Sequence, residues 1–561
     1  MAKLYTLTSR KSSEEINPIV RHVDEWQRVS LDHRNTKLGQ DWLDIVENFY
    51  QLTDQGGPMP SFRPLVRVPQ LQTLMLQEAN DLSDLAVRPY IINTSTGKRD
   101  EDREKGFQAE WKRSFGNYHV LFAILQSLFV GMCPVQWGWD PNIRRGRGGL
   151  WLKARDPRTF LPDPTTDYEL NWSYVIAEDR MHLEEVKTRW GSVARNIKPR
   201  VAGRMQSPAA GESGYGFQLP PGPMATVPGL PSNRALPTDN RVRVRYVWCK
   251  DYTREKVEED QLPEGAIVPE DFRFKYPDGR FLVECEGTIL ADGNNATPLG
   301  TFPFSPVWGL PPLYSIWSTP AIRYSLDMQN VAARLYTQMF ENAVRLNNGV
   351  WFIPENTGID PNLFGGLPGE VQVINANATF PQCVWPNPMP PHVAQLPQLL
   401  LDKQKELHGF TPARQGNPGA GNISTDLFDA SVLKSQGMTQ LRGRLLAISI
   451  QRIVEGMFYM MCRFAGQRSM LMPGTAKGEV ATWPGRISPD ELEMTIDESS
   501  IEPLSQTIIR KIAPDLAAKG IIPKSALLDA IGWPAAQEVA EAADREAALA
   551  ALAKVRGLGR R

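Results

Sequence analysis

Apolar residues recur at helical spacing in two N-terminal stretches, residues 13–52 and 69–88, and this pattern predicts two helices. The string DQGGPMPSFRP lies between them, and its glycines and prolines cannot continue a helix. After Gly131 the pattern changes to short apolar runs interrupted by glycine and proline, in the strings CPVQWGWD, GGLWLKARDP and TFLPDP. Such runs predict short strands. The N-terminal part of the chain is therefore expected to begin with helices and to continue as strands.

Strict alternation in the string RVRVRYVWCK, residues 241–250, predicts a strand with one buried face. Its other face carries Arg241, Arg243 and Arg245. These arginines could contact phosphate, but basic residues commonly keep an exposed sheet edge soluble, and we favour that interpretation. The next string, FRFKYPDGRFLVECEGTILADG, predicts a hairpin whose turn is formed by residues 277–279. A small antiparallel sheet is expected here.

The clearest long helix is predicted from Thr319 to Leu346, with Ser318 or Thr319 as its N-cap and Pro320 at its first position. This segment carries an apolar stripe and, at steps of three and four residues, a polar stripe. Two such stripes are usual on a surface helix. Pattern alone therefore favours a surface helix over the wall of a channel.

Two further helices are predicted, one at roughly residues 393–409 and one from Asp426 to about Phe464. The chain before the first of them is rich in proline, asparagine and glycine, with short β-type runs that predict a compact insert of strands and turns. The glycine-rich string TPARQGNPGAGNIS separates the two helices. Gly437, Gly443 and Gly456 would each weaken the last helix by about 1 kcal/mol relative to alanine. A bend or a close helix approach is therefore expected.

The C-terminal part is predicted to contain a hairpin in the string TWPGRISPDELEMTI, followed by helices at residues 505–519, 524–531 and 534–556. Residues 206–238 are dense in proline, glycine and serine. That composition predicts an irregular surface insertion.

Composition narrows the classes of protein that this chain can be. Lys plus Arg number 62 against 63 Asp plus Glu in 561 residues, so no global positive field would hold nucleic acid, and any DNA contact is expected to be local or weak. The five cysteines are far apart, which fits a reduced cytosolic origin. The longest apolar run, Val120 to Met132, is too short to cross a bilayer, and no signal peptide is expected.

Motifs for catalysis are absent from the sequence. It contains no G-x-x-x-x-G-K-[ST] loop for nucleotide phosphates, no H-E-x-x-H zinc pair and no G-x-S-x-G elbow. Gly416, Gly419 and Gly421 are interpreted as loop flexibility, since they do not lie between a strand and a βαβ helix. The sequence therefore predicts a protein that is not an enzyme and that has no cofactor and no metal.

The order of predicted elements resembles that of bacteriophage portal (head-to-tail connector) proteins, over roughly residues 30–545. The strings GMCPVQWGWD, DPRTFLPDP and MHLEEVKTRWG are similar to the family's wing region. PFSPVWGLPPLYSIWSTP is similar to the segment that enters the first stem helix, and LLLDKQKELHGFTPARQGNPG to the second stem helix and its channel loop. The insertion at residues 206–238 departs from the pattern and leaves the boundary of the wing open.

The resemblance implies an α+β, mainly helical portal fold with a wing, a two-helix stem, a small strand-rich clip and a helical C-terminal crown. The implied regions are 1–317 (N-terminal region and wing), 318–348 (first stem helix), 349–392 (clip), 393–411 (second stem helix), 412–425 (channel loop), 426–500 (long helix and return wing segment) and 501–561 (crown and tail).

The function implied by the resemblance is a homo-dodecameric ring at the unique capsid vertex of the virion, assembled in the host cytoplasm. Double-stranded DNA would be packaged through this ring by the terminase large subunit and later ejected. The other implied partners are the major capsid or scaffolding protein and neck or tail adaptor proteins, with no membrane.

The resemblance also suggests residues for two sites. Residues expected to face the DNA channel are Arg334, Glu341, Arg345, Lys403, Arg414, Gln415 and Asn417. Residues expected to bind partners at the clip are Trp351, Asn356, Asp360 and Phe364.

Ring dimensions agree with these expectations. Twelve helices about 10 Å across, set side by side, enclose an opening of roughly 28 Å, whereas six would leave only about 10 Å. Two alternatives remain open at this point. One is a capsid-associated scaffold or neck adaptor without a central DNA path, and the other is a nuclease, although the convergent carboxylates of a two-metal site cannot be identified.

Overall fold

The fold is seen in a computed structural model, which describes residues 18–39, 68–83, 89–93, 97–166, 168–197, 241–256, 272–297, 301–313, 315–347, 350–357, 379–385, 387–410, 437–471, 480–487 and 492–496, with isolated positions elsewhere. These residues form an α+β fold in which helical residues outnumber strand residues. The predicted insertion at 206–238, the channel loop at 412–425 and nearly all of the predicted crown at 501–561 lie outside the described residues.

Helices and strands alternate along the described parts of the chain. The helices are α1 (Pro18–Leu38), α2 (Gln70–Ser83), α3 (Glu101–Arg113), α4 (Gly116–Val130), α5 (Ile143–Gly146), α6 (Leu183–Trp190), α7 (Arg323–Asn347), α8 (Pro391–Leu407) and α9 (Gly437–Phe464). The strands are β1 (Pro89–Asn93), β2 (Met132–Asp140), β3 (Gly149–Ala154), β4 (Phe160–Pro162), β5 (Tyr174–His182), β6 (Arg241–Cys249), β7 (Arg254–Lys256), β8 (Phe272–Phe274), β9 (Arg280–Cys285), β10 (Thr288–Asn294), β11 (Phe304–Trp308), β12 (Val350–Phe352), β13 (Gln382–Val384), β14 (Arg468–Leu471), β15 (Val480–Trp483) and β16 (Leu492–Ile496).

The alternating run at residues 241–249 forms the central strand of a five-stranded antiparallel sheet with the order β10-β9-β6-β5-β4. The expectation that its arginines lie on an exposed sheet edge is wrong for Arg245, which is only 2% exposed. Arg245 forms ion pairs with Glu284 on β9 and with Asp24 on α1. These carboxylates offset the cost of removing the guanidinium from water, so Arg245 holds α1 onto the sheet and does not face phosphate.

The predicted hairpin around residues 277–279 is wrong in its pairing. Tyr276 to Gly279 do form a turn, in which the Gly279 N–H donates to the Tyr276 carbonyl at 3.1 Å. However, β8 before it pairs with β7, whereas β9 after it pairs with β6 and β10. The hairpin is β9–β10, and Glu286 and Gly287 form its turn with φ values of +46° and +88°. Two central residues with positive φ match the right-handed twist of the strands.

The predicted C-terminal hairpin at residues 482–496 is also wrong, although both of its strand runs exist. β15 pairs with β14, and β16 pairs with β1, about 400 residues away along the chain. Alternation of apolar residues predicts that a segment is a strand and which face is buried, but it does not specify the partner.

The first long helix begins later than predicted. α7 starts at Arg323, and residues 318–322 are fixed by contacts with α4 and with the loop before them. The Ser318 hydroxyl donates to the Leu310 carbonyl at 2.7 Å instead of capping the helix. The Ala321 N–H donates to the Leu128 carbonyl of α4 at 3.1 Å. These tertiary bonds override the local capping signal.

The main core lies between α4, α9 and the three-stranded sheet β11-β2-β3. The segment Thr439–Phe464 is long and apolar enough to cross a membrane. However, 61% of its most apolar stretch is buried inside the fold. The Ser449 hydroxyl donates to the Pro306 carbonyl of β11 at 2.8 Å. α9 therefore packs as a core helix on this sheet.

The close approach expected along α9 occurs at Gly456, and the neighbour is a strand residue. A Cβ atom at Gly456 would lie 2.2 Å from the indole of Trp137 on β2. By contrast, nothing lies within 4 Å of a Cβ at Gly437.

Replacing Gly456 by alanine is expected to lower the free energy of unfolding by about 2 kcal/mol. Overpacking against the rigid indole costs up to about 3 kcal/mol, which outweighs the gain in helix propensity of about 1 kcal/mol. Gly437→Ala is the matched control and should leave stability unchanged or higher. Denaturant unfolding of both variants checks this, and equal stabilisation of the two would contradict the close packing.

Candidate functional site

α7 and α8 lie side by side and antiparallel, and we call them the helix pair. Near the start of α7, the Gln404 side-chain amide donates to the Ser325 carbonyl at 3.0 Å. Farther along α7, the Tyr336 hydroxyl donates to the Gln398 side chain at 3.4 Å. Residue numbers therefore rise along α7 as they fall along α8, which makes the two helices antiparallel. The helix pair therefore projects as one rod with a base near Ser325 and a tip after Asn347.

The base of the helix pair is fixed to the rest of the fold by three hydrogen bonds from two helices. The Arg323 guanidinium donates to the Leu38 carbonyl at the end of α1, at 2.7 Å. The Leu71 N–H of α2 donates to the Gln329 side-chain oxygen at 2.8 Å. The Gln70 side-chain amide donates to the Leu401 carbonyl of α8 at 2.6 Å. The rod is therefore held in a defined orientation by α1 and α2.

The tip of the helix pair carries a two-stranded ribbon formed by β12 and β13, which we call the tip ribbon. Large apolar side chains are exposed on and next to it: Trp351, Phe352, Phe380, Val384 and Trp385. A cluster of exposed aromatic residues at the end of a projecting rod is typical of a surface that binds a partner.

Apolar side chains are also exposed on two opposite sides of α7. Tyr324 and Val331 lie on one side, and Phe340 and Val344 lie on the other. At about 100° per residue, the two groups are separated by roughly 180° around the helix axis. We call them the lateral faces. Neither is covered within the single chain.

A polar stripe lies between the lateral faces. The predicted channel residues Arg334, Glu341 and Arg345 are seven and four residues apart, and this spacing places them on one side of α7. That side is turned away from α8. Arg334 is exposed and Glu341 is half-buried. Viewed along its axis, α7 thus carries a buried side towards α8, an apolar side in its first half, an opposite apolar side in its second half, and a polar side between those two.

The other predicted site residues are not all brought together. Lys403 is exposed on the side of α8 away from α7, where it pairs with Glu406 at 2.7 Å, and it does not join the polar stripe. Trp351 and Asn356 are both exposed near the tip. Positions that lie outside the described residues are Asp360, Phe364, Arg414, Gln415 and Asn417.

Sequence reasoning missed the buried link between the two helices at their base. The His408 ring Nε2 lies 2.7 Å from the Ser325 hydroxyl. Burial, together with the charge of Arg442, lowers the pKa of His408 to about 4. The imidazole is therefore neutral at neutral pH. A lone histidine after a helix carries no signal for this contact, because its partner is 83 residues away.

Acidification is expected to weaken the base of the helix pair. Since the pKa of His408 is about 4 in the folded chain and near 6.5 when exposed, the unfolded state binds more protons between these values. The contribution of the neutral His408 to the free energy of unfolding is fully present above pH 6.5. It is lost as the pH falls towards 4, by up to about 1.4 kcal/mol per pH unit.

The test is thermal unfolding of the chain and of His408→Gln between pH 7.5 and 4.5. Glutamine keeps a hydrogen-bonding group but does not titrate, so its curve should fall less steeply. Identical pH dependence in the two proteins would contradict a neutral buried His408.

No family model matches the chain, and no curated protein matches it. Within the part of the chain that the structure describes, no group of three or more His, Cys, Asp or Glu side chains could hold a metal ion.

Proposed function

We propose that this chain is the subunit of a bacteriophage portal, a ring through which double-stranded DNA enters and leaves the capsid. The observation that carries this proposal is the arrangement of α7 viewed along its axis, with a polar stripe between two opposite apolar faces. In a ring, each copy contacts one neighbour on each side through two different surfaces. The lateral faces provide two such surfaces, and the stripe between them is left to face the central opening.

The dimensions support a channel wall. α7 contains 25 residues, which at 1.5 Å per residue gives a wall about 37 Å high. The polar stripe contains both signs of charge, with Arg334 and Arg345 flanking Glu341. Mixed charge suits a conduit, since each firm phosphate contact would strengthen binding and retard a sliding duplex.

In this proposal, the helix pair is the stem, the tip ribbon belongs to the clip, and the sheet-containing body before α7 is the wing. The clip would bind the terminase large subunit during packaging and neck or tail adaptors afterwards. The exposed aromatic side chains of the tip ribbon support a docking role. The body would contact the major capsid or scaffolding protein at the vertex of the virion.

The mass of the purified assembly tests this proposal. Twelve copies of a 62.9-kDa chain give particles of about 0.75 MDa, and a single dominant species of that mass is expected by native mass spectrometry. A monomer at micromolar concentration would contradict a portal. An assembly of six or fewer copies would also contradict it, because such a ring is too narrow for duplex DNA.

A further inference from the structure

Four arginines from separate parts of the chain converge around one pocket, which we call the arginine pocket. Its volume is about 520 Å³, and its lining consists of Arg113, Arg144, Arg147, Arg468, Ser469 and Met470. Arg113 ends α3, Arg144 and Arg147 lie in and after α5, and the remaining residues belong to β14. The pocket lies in the body of the fold and includes no residue of the helix pair.

The positive charge of the pocket is only partly balanced. Glu110 is fully buried and accepts from the Arg144 guanidinium with both oxygens, at 2.6 and 2.7 Å. The same carboxylate lies 3.6 Å from the Arg468 guanidinium, beyond hydrogen-bond distance. Among the described residues, Glu110 is the one carboxylate paired with the pocket arginines. Within the described parts of the chain, four guanidiniums against one carboxylate leave an excess of three positive charges.

Two donors of Arg468 have no hydrogen-bond partner among the residues that the structure describes. Its Nη1 donates to the Gly148 carbonyl at 3.1 Å, whereas Nε and Nη2 are buried without a hydrogen-bond partner. Burial lowers the pKa of Arg468, Glu110 opposes this shift, and the charges of Arg144 and Arg113 add to it. Buried donors without partners are costly, so the Arg468 guanidinium is stabilised by negative charge placed near it.

The loop beside the pocket is held in a fixed shape. Arg144 adopts a positive φ of +59°, which is unfavourable for a residue with a side chain. Gly148 has φ +69°, and a Cβ there would lie 2.5 Å from the Trp139 indole, so only glycine fits. The Arg468 guanidinium stacks 5.1 Å from the centre of the same indole. The Arg144 and Arg468 guanidiniums are therefore positioned before any ligand arrives.

We propose that the arginine pocket binds a small ligand with two or more adjacent phosphate groups. Guanidinium groups present planar pairs of donors that match phosphate oxygens, and Arg is the preferred residue for such recognition. The excess of three positive charges and the volume of the pocket suit an oligophosphate better than a single phosphate. This site is separate from the stem, so its occupancy does not depend on the proposed channel.

The test is calorimetric titration of the full chain with inorganic tripolyphosphate, without divalent cations. Arg147→Glu is the main variant, because Arg147 is exposed and its side chain forms no ion pair among the described residues, so the substitution spares the fold. It should weaken binding at least tenfold. Arg113→Gln should weaken binding about threefold to tenfold. Arg195→Glu, at an exposed arginine outside the pocket, should bind like the parent chain.

Titrations with other anions test whether the pocket requires adjacent phosphate groups. Orthophosphate and citrate should bind at least tenfold more weakly than tripolyphosphate. Binding of short duplex DNA without binding of tripolyphosphate would overturn the proposal in favour of a backbone contact. No binding of tripolyphosphate, or equal loss in Arg147→Glu and Arg195→Glu, would also overturn it, and the pocket would then serve an acidic segment of a neighbouring copy or no ligand.

Discussion

Replacing Arg245 by methionine is expected to lower the free energy of unfolding by about 3–5 kcal/mol. The guanidinium is buried between β6, β9 and α1, and it pairs with Glu284, which is itself only 3% exposed. Methionine has a similar length but no charge, so Glu284 would remain buried without its main counter-ion. Removing one partner of a buried pair is costly for this reason, even where the intact pair contributes little net stability.

Arg243→Met is the matched control, because Arg243 lies two residues away on the same strand. Its side chain is 38% exposed, and it lies 3.8 Å from Glu178. Glu178 is 16% exposed, and a partly exposed pair at this distance contributes about 1 kcal/mol. Denaturant unfolding should therefore separate the two variants by at least about 2 kcal/mol. A double variant, Arg245→Met with Glu284→Leu, should recover part of the loss. Equal losses in Arg243→Met and Arg245→Met would contradict the buried network.

Placing a carboxylate on each lateral face of α7 is expected to convert the proposed ring into separate subunits. The double variant Val331→Glu, Phe340→Glu changes two exposed residues, so the fold of the single chain should be retained. In the ring, each glutamate would be buried without a partner at every contact between neighbours, at a cost of several kcal/mol for each.

The control for this double variant is Arg334→Glu, which places a carboxylate at an exposed position of the polar stripe of α7. Its ring should remain intact, because that side faces water in the proposed assembly. Mass photometry at one protein concentration compares the particles. A ring that survives both lateral substitutions would place the contacts between subunits somewhere other than α7.

Local elements could be predicted from the sequence, whereas their partners could not. The strand at residues 241–249 follows from alternation, but its central position depends on Glu284 and Asp24, which are distant in sequence. Both incorrect hairpins have the same cause, because the alternation of apolar residues in a strand does not specify which other strand it pairs with. The late start of α7 depends on the contact of Ala321 with Leu128, and no local signal predicts that contact.

The candidate site was also predictable only in part. The polar stripe of Arg334, Glu341 and Arg345 follows from helical spacing. The exposure of the lateral faces does not, because it depends on which sides of α7 the rest of the chain covers. The arginine pocket was missed for a similar reason. The string RRGRGG at residues 144–149 was its one local signal, and residues 113 and 468 reach the same pocket only through the fold.

The proposed ring is most directly tested by electron microscopy of the purified full-length particle viewed along its axis. The account predicts about twelve subunits around an open bore at least 20 Å wide, broad enough for a DNA duplex, with α7 lining the wall. A solitary subunit, or a ring whose centre is closed by fixed backbone in every class of particle, would contradict it.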